Sequence, residues 1–433
     1  MKIKNTYFFW GVQRSVTAFF NNTNLTHKTI TRLIMSLVLL FAFILFGCKT
    51  NPQPTKKEIL TKAKDEKELQ VGANQLEYYL PLLKGKKIAV VANQSSLLKK
   101  DEKYVHLVDT LLSLQIPIKK VFSPEHGFRG KADAGEKISN QMDTQTGLPI
   151  ISLYGSHKKP TAKDLKGIKL ILFDLQDVGV RFYTYISTLH YVMEAAAENK
   201  IPVIVLDRPN PNAHYIDGPV LKDKFHSFVG MHPVPIVYGM TIGEYAQMIN
   251  GQGWLRNSLH CDLQVIPLKN YTHRTRYTLP VKPSPNLPNS KAVNLYPSLC
   301  FFEGTNISCG RGTDKQFQVF GAPYLPKKKY PFSFIPQPNL GAKHPKYQGK
   351  KCNGLNLENE NYLNGIQLQW LINAYAESTD KDSFFNAFFT KLAGTNSLQN
   401  QIELGYSPND IKKTWQPDLE RFKKIRLKYL LYD

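Results

Sequence analysis

The stretch KKIAVVA at residues 86–92 decides the fold class of this chain. Its run of small and β-branched apolar side chains, flanked by lysines and by polar residues, is typical of a strand buried on both faces of a sheet. Three runs of the same kind follow, namely IKKVF at 118–122, LILF at 170–173 and PVIVL at 202–206. We therefore predict four strands that belong to one sheet.

Segments with helical periodicity separate these strands. Residues 104–114 predict one helix, and apolar residues recur at helical spacing over 185–196. Strands that alternate with helices indicate a parallel sheet covered on both faces. The sequence thus predicts an α/β fold with a Rossmann-like, doubly wound, mostly parallel sheet.

The composition of the sequence changes near residue 277. Five prolines between 280 and 297 indicate a long loop region. Three later segments look helical, at 365–375, 381–392 and 410–431. We predict a Rossmann-like subdomain at 71–276 and a smaller α+β subdomain at 277–433.

The first fifty residues resemble a bacterial lipoprotein leader. Basic residues precede an apolar run at 37–46, which is too short for a comfortable membrane span and is followed by Gly47 and Cys48. This pattern predicts a signal peptide at 1–47, lipidation of Cys48, and a polar, flexible tether at 48–70. The alternative is a short membrane anchor with an incidental cysteine. Since Lys49 is not an aspartate retention signal, the predicted location is periplasmic, on the outer membrane of the cell envelope.

The formal net charge is +22, and the basic residues are spread along the chain. A dispersed positive surface suits an anionic envelope, an anionic glycan or lipid headgroups. Zinc-finger spacing, RNP-like aromatic motifs and a helix-turn-helix pattern are absent from the sequence, so nucleic acid is not the expected partner.

Polar residues follow three of the predicted strands, in SPEHGFRG at 123–130, DLQDVGVR at 174–181 and DRPNP at 207–211. The carboxyl ends of parallel strands meet at one sheet edge, where ligands bind, so we expect these side chains to converge. Carboxylates beside arginines suit proton transfer and the binding of an anionic ligand. The candidates are Glu125, His126, Arg129, Asp174, Gln176, Asp177, Arg181, Asp207 and Arg208. Purely structural roles are the alternative, above all backbone bonding by Asp174 and a turn cap by Asp207 and Arg208.

A second group of polar residues lies in the later loops. Glycines between polar side chains allow close backbone approach to a ligand, and Asn, Ser and Thr suit sugar hydroxyls and amides. The candidates there are Asn286, Glu303, Asn306 and Arg311. Glu303 is either a second catalytic carboxylate or a structural residue at a helix end.

The sequence contains no motif that is typical of an enzyme with a metal ion or a nucleotide cofactor. Glu125, His126, Asp174 and Asp177 are possible ligands for a divalent ion, but the sequence has no paired-histidine motif. It also lacks a G-x-G-x-x-G after the first strand, a Walker A loop and a G-x-S-x-G elbow. We predict no metal and no cofactor. The cysteines after Cys48 either pair, Cys300 with Cys309 for example, or are buried free thiols; they are Cys261, Cys300, Cys309 and Cys352.

Seven motifs in order resemble one family. They are SPEHGFRG, LFDLQDVGVRFYTY at 172–185, DRPNP, SPNLP at 284–288, YPS at 296–298, FEGTN at 302–306 and GRGT at 310–313. The chain resembles, from about Leu76 onward, the exo-β-N-acetylmuramidases of the NamZ type, glycoside hydrolase family 171, formerly a domain of unknown function.

The resemblance implies release of terminal, non-reducing β-1,4-linked N-acetylmuramic acid from peptidoglycan fragments, in a cleft between two subdomains. Glycoside hydrolysis ordinarily needs two carboxyl groups. We expect Glu125 to be the acid or the principal catalytic carboxylate, and the second carboxyl to be Glu136, Asp177 or Glu303. An arginine, namely Arg129, Arg181 or Arg311, would hold the lactyl carboxylate of muramic acid. The competing hypotheses are a non-catalytic peptidoglycan-binding lipoprotein and a metal-dependent envelope hydrolase.

Overall fold

The computed structural model describes residues 68–129 and 141–433, and every structural statement below refers to these two ranges. The predicted signal peptide, Cys48, most of the tether and Glu136 lie outside them. In the described part, no helix is both long enough and apolar enough to cross a membrane.

Within the described ranges, the centre of the molecule is a seven-stranded sheet in the order β5-β6-β4-β1-β7-β8-β9. Its neighbouring strands are parallel except for the β5–β6 pair at one edge. The strands are β1 (Ile88–Ala92), β4 (Ile118–Ser123), β5 (Gln141–Met142), β6 (Pro149–Ser152), β7 (Leu170–Asp174), β8 (Val203–Leu206) and β9 (Leu263–Ile266). The six parallel strands follow the Rossmann order 3-2-1-4-5-6, so the predicted fold class is confirmed.

Side chains of the central strands alternate between two hydrophobic clusters. Ile88 and Val90 of β1 belong to one cluster, while Ala89 and Val91 belong to the other. Both sheet faces are therefore covered, which explains why the deciding stretch is continuously apolar.

Helices pack on the two faces of this sheet. In the first part of the chain they are α1 (Leu76–Leu83), α2 (Leu107–Ser113), α3 (Ala162–Leu165), α4 (Tyr185–Glu198) and α5 (Ile242–Gly251). The prediction of a helix over 104–114 was wrong at its start. A two-stranded hairpin of β2 (Leu97–Lys100) and β3 (Lys103–His106) precedes α2, and the His106 ring caps this helix by accepting from the Val108 N–H.

The later part of the chain contributes helices and a small antiparallel sheet to the same body. The sheet has the order β10-β12-β11 within the described residues and comprises β10 (Val319–Ala322), β11 (Phe332–Phe334) and β12 (Cys352–Asn356). The helices are α6 (Ser290–Leu299), α7 (Gln369–Ala376), α8 (Ala387–Ala393), α9 (Ser397–Glu403) and α10 (Pro408–Arg426).

Helix α6 lies inside the region that its prolines predicted to be a loop. Asn289 caps its first turn by accepting a hydrogen bond from the backbone of Ala292. Pro297 falls in the last turn, after most of the helix has formed. Directly after α6, a 3₁₀ helix at Cys300–Gly304 carries Glu303.

Candidate active site

A cavity of about 460 Å³ lies beyond the carboxyl end of β4 and is lined by residues from both parts of the chain. This volume is within the range usual for sites that bind small ligands. The cavity brings together five of the predicted site residues, namely Glu125, His126, Asn286, Glu303 and Arg311.

Glu125 reaches the cavity from the loop that follows β4. The next two residues, His126 and Gly127, both have left-handed backbone conformations, with φ of 73° and 75°. A non-glycine residue in this region is uncommon and often marks a functional turn. The hydroxyl of Thr184, directly before α4, donates to Glu125 Oε2 at 2.8 Å and fixes the carboxyl group.

Glu303 lies on another wall of the cavity, within the 3₁₀ helix. Its Oε1 is 2.5 Å from Nε of Arg311, and the Cys300 thiol donates to its Oε2 at 3.5 Å. Burial alone would lower the pKa of Arg311, but the Glu303 carboxylate outweighs burial and raises that pKa above its usual value. Arg311 therefore stays charged beside Glu303.

Two glycines set the position of Arg311. Gly310 and Gly312 have φ of 82° and 81°, and a Cβ on either would overlap the surrounding atoms. The GRG sequence is thus a tight turn that only glycine permits at both flanks.

Asn286 supplies a polar group with spare bonding capacity. Its side-chain amide donates to the carbonyl of Gly341 at 2.7 Å. Its Oδ1 is buried and has no hydrogen-bond donor among the described residues. Since a buried, unpaired carbonyl is costly, this oxygen suits an N–H or O–H group of a ligand.

Two family models match consecutive parts of the chain. Residues 88–291 match the family model described as exo-beta-N-acetylmuramidase NamZ, N-terminal, and residues 294–432 match its C-terminal counterpart. The chain belongs to the exo-beta-N-acetylmuramidase NamZ family.

Relatives extend the NamZ match over most of the chain. The peptidoglycan beta-N-acetylmuramidase NamZ of Bacillus subtilis (strain 168) is 37% identical over 420 residues, covering 91% of this chain and 99% of that protein. Two crystal structures of DUF1343 family proteins from Bacteroides fragilis NCTC 9343 are also similar. One has 46% identity and a TM-score of 0.78, and covers 85% of this chain and 99% of its own. The other has 27% identity and a TM-score of 0.72, covering 84% and 99%.

In this NamZ family member, several predicted site residues do not line the cavity. Arg208 pairs with Asp174 through two bonds, with Nε to Oδ1 at 2.5 Å and Nη2 to Oδ2 at 2.8 Å. Asp207 accepts from the hydroxyls of Thr241 and Tyr432 at 2.7 and 2.6 Å. Burial raises the pKa of Asp207 to about 7. Asp207 also accepts from the backbone N–H groups of Arg208 and Gly243, as expected of a turn cap. Asp174 differs from its expected structural role, because it pairs with the Arg208 side chain.

Asp177 and Gln176 are also buried outside the cavity lining. Asp177 accepts from the Tyr238 hydroxyl and from the backbone of Gly179, and burial raises its pKa to about 6. The Gln176 amide donates to the carbonyls of Asp177 and Pro209 at 2.8 and 2.7 Å. Both side chains thus hold the loops that follow β7.

Arg181 is fully buried and binds backbone carbonyls. Nη1 donates to Pro219 and Val234 at 2.8 Å, and Nη2 donates to Leu392 and Ala393 at 3.0 and 2.8 Å. Burial lowers the pKa of Arg181 to about 9, which leaves the guanidinium charged at neutral pH. Arg181 therefore joins the first part of the chain to the end of α8.

The two remaining candidates have their own partners away from the cavity lining. Arg129 donates to Asp143, with Nη2 at 2.8 Å from Oδ2. Asn306 accepts from the Tyr324 hydroxyl at 2.6 Å. In the two described ranges, no group of three His, Cys, Asp or Glu side chains is arranged to hold a metal ion. Cys261, Cys300, Cys309 and Cys352 are free and buried.

Sequence reasoning missed Thr184 and the aromatic walls of the cavity. The rings are those of Tyr154, Phe182, Tyr183, Tyr185, Phe228, Tyr296, Phe317 and Phe388. Part of the signal was present in FYTY at 182–185, which supplies three of the rings and Thr184, and the helical periodicity of this segment obscured it.

Proposed function

We propose that this chain is an exo-acting β-N-acetylmuramidase that releases terminal, non-reducing β-1,4-linked N-acetylmuramic acid from peptidoglycan fragments. The observation that carries the proposal is the meeting of Glu125 and Glu303 in one cavity. The NamZ family membership and the name of the Bacillus subtilis relative support the same substrate class.

The contacts of the two carboxyl groups suggest different roles for them. Glu303 is paired with Arg311, so it acts as the carboxylate that serves as nucleophile or base. Glu125, whose Oε2 accepts the Thr184 hydroxyl, acts as the acid that protonates the departing oxygen. Glu125 gives its proton to the glycosidic oxygen as the bond from that oxygen to C1 of muramic acid breaks. Glu303 either takes a proton from a water that attacks C1, or bonds to C1 and is displaced by a water whose proton returns to Glu125. Both routes consume one water and release free N-acetylmuramic acid and the shortened glycan.

The polar groups of the cavity suit the substituents of muramic acid. Asn286 Oδ1 has no donor among the described residues and can accept the N–H of the acetamido group. Arg311 lines the cavity, so its guanidinium can bind the lactyl carboxylate. Charge and hydrogen bonding thus favour an anionic, N-acetylated sugar.

Substitution of the two carboxyl groups tests the proposal. Glu125→Gln and Glu303→Gln should each keep the fold and lower release of muramic acid, from a chromogenic muramide and from a muramic acid–glucosamine disaccharide, by about 10³-fold. Glu420→Gln on the exposed face of α10 is the matched control and should retain full activity. Normal turnover by the Glu125→Gln protein would exclude the proposed role, and loss of the wild-type activity with a chelator would favour the metal-dependent alternative.

We further propose that the protein is a lipoprotein, anchored through Cys48 on the periplasmic side of the outer membrane. The apolar run before Cys48 and the polar tether after it support this location. The division into subdomains at 71–276 and 277–433 belongs to the same proposal. Labelling of cells with a palmitate analogue should mark the wild-type protein and leave Cys48→Ala unmarked; equal labelling of both would refute lipidation at Cys48.

A further inference from the structure

The aromatic rings of the cavity differ in their exposure to solvent. The inner rings are at most 8% exposed, and they are Phe182, Tyr183, Tyr185, Tyr296 and Phe317. They pack edge to face on one another; for example, the Phe182 and Tyr296 centroids are 5.3 Å apart. These rings form the closed inner wall, and their faces are already covered by neighbouring rings.

Tyr154, Phe228 and Phe388 are more exposed than the inner rings, and Phe388 is the most exposed of the three. Its side chain lines the cavity and is 36% exposed. Within residues 68–129 and 141–433 its ring makes none of the ring–ring contacts that the other aromatic residues of the cavity make. An exposed aromatic face at the mouth of a ligand cavity is available to a ligand.

Backbone contacts hold Phe388 in a fixed position relative to Glu303. The backbone N–H of Asn386 donates to the Gly304 carbonyl at 2.9 Å, and its side chain donates to the Glu303 carbonyl at 3.3 Å. A Cβ at Gly304 would overlap the backbone of Phe389. Helix α8 therefore packs directly on the 3₁₀ helix that carries Glu303, without room for a side chain between them.

We propose that Phe388 is a specificity-determining residue that stacks against the second sugar of the substrate, the one that leaves. This inference rests on the proposed function. An exo-acting enzyme places the terminal sugar at the closed inner end, so the next ring lies at the mouth of the cavity, where Phe388 is exposed. The apolar C–H face of a pyranose is removed from water when it covers an aromatic ring. The sugar that stacks on Phe388 is expected to be an uncharged pyranose, such as an N-acetylated one, because a phenyl ring cannot pair with a charged group.

Kinetics of Phe388 variants on a muramic acid–glucosamine disaccharide test this inference. Phe388→Ala should lower kcat/KM about tenfold, and Phe388→Tyr, which keeps the ring, should retain it. Free N-acetylglucosamine should inhibit the Phe388→Ala protein about tenfold more weakly, because it occupies the position of the leaving sugar. Inhibition by free N-acetylmuramic acid should not change. Tyr406→Ala, which removes another exposed ring on this chain, is the matched control.

The outcomes separate this inference from the proposed function. If the wild-type protein releases no muramic acid, the proposed function fails, and the inference fails with it. If the wild-type protein is active but Phe388→Ala weakens inhibition by both sugars equally, or by neither, only the role of Phe388 is refuted. Thermal unfolding of each variant shows whether the fold is retained, as expected for an exposed side chain.

Discussion

Arg181 shows how a single buried charge supports the active site without lining it. Its guanidinium binds four backbone carbonyls, two of which end helix α8. Replacement by methionine would remove these four hydrogen bonds, although the Val234 carbonyl would still accept from the Leu221 N–H at 3.2 Å. We expect Arg181→Met to lower the free energy of unfolding by about 3 kcal/mol, measured by urea denaturation.

Arg421→Met is the control for this prediction, because Arg421 is an exposed arginine of α10 with a side-chain accessibility of 70%. Its free energy of unfolding should change by less than about 0.5 kcal/mol. Equal losses in the two variants would show that the carbonyl contacts of Arg181 contribute little.

At the scale of residues, the sequence allowed only part of the candidate site to be predicted. Glu125 and Glu303 were both named as candidates, and both line the cavity. Arg181 and Asp207 were named on the same grounds, yet both are buried among backbone and hydroxyl partners. A polar residue after a strand can point into the crevice or back into the protein, and the choice depends on loops that are distant in sequence.

The contact between α8 and the 3₁₀ helix depends on a missing side chain. Gly304→Ala would introduce a Cβ that overlaps the Phe389 backbone, so the two helices must separate. We expect a loss of about 2 kcal/mol in the free energy of unfolding, and a fall in kcat because Glu303 and Phe388 shift relative to each other.

Thermal unfolding and turnover of the muramide measure the two effects of Gly304→Ala. Gly365→Ala is a suitable control, because its Cβ would meet only the side-chain ends of Asp217 and Lys412, at 3.1 and 3.4 Å. If the Gly304→Ala protein has the stability and kcat of the wild type, the contact between α8 and the 3₁₀ helix can accommodate a Cβ, and the prediction is wrong.

At the scale of elements, the central strands were the most predictable part of the fold. Their continuous apolar runs reflect burial on both faces, which few other structures require. Helix α6 was not predicted, since its prolines indicated a loop, although Pro297 lies in its last turn. The short strands of the antiparallel sheet carry weak patterns, such as CNGLN at β12, and are stabilised by partners far away in sequence.

For the whole molecule, buried histidines and buried carboxyl groups give opposite dependences of stability on pH. Burial lowers the pKa of His190 to about 4, and that of His232, whose Nε2 lies 3.0 Å from Nδ1 of His190, is also lowered. Below pH 6.5 the unfolded chain takes up protons that the folded protein excludes, so this pair destabilises the fold as pH falls toward 4. The raised pKa values of Asp177 and Asp207 act in the other direction, because their contribution to stability is lost as pH rises from about 4 to 7.

The carboxyl groups offset the loss of stability that the buried histidines cause at low pH. Removal of one histidine should therefore make its destabilising effect measurable. We expect the His190→Gln protein to gain stability relative to the wild type, on the order of 2 kcal/mol, when the pH is lowered from 7 to 4.5. Urea denaturation at both pH values measures the difference. His260→Gln, a change at an exposed histidine, is the control and should not gain stability relative to the wild type at low pH. The prediction is contradicted if the difference in unfolding free energy between His190→Gln and the wild type is the same at both pH values.

The two walls of the cavity come from separate lengths of the chain. Glu125 and Thr184 lie in the region that matches the N-terminal family model, whereas Glu303, Arg311 and Phe388 lie in the C-terminal one. A chimaera that takes residues 294–432 from a relative would exchange Glu303, Arg311 and Phe388 as one block and keep Glu125, the proposed acid, in place. If the proposed roles of Glu125 and Phe388 hold, recombination at this junction alters which leaving sugars are accepted while the loop that carries Glu125 is unchanged.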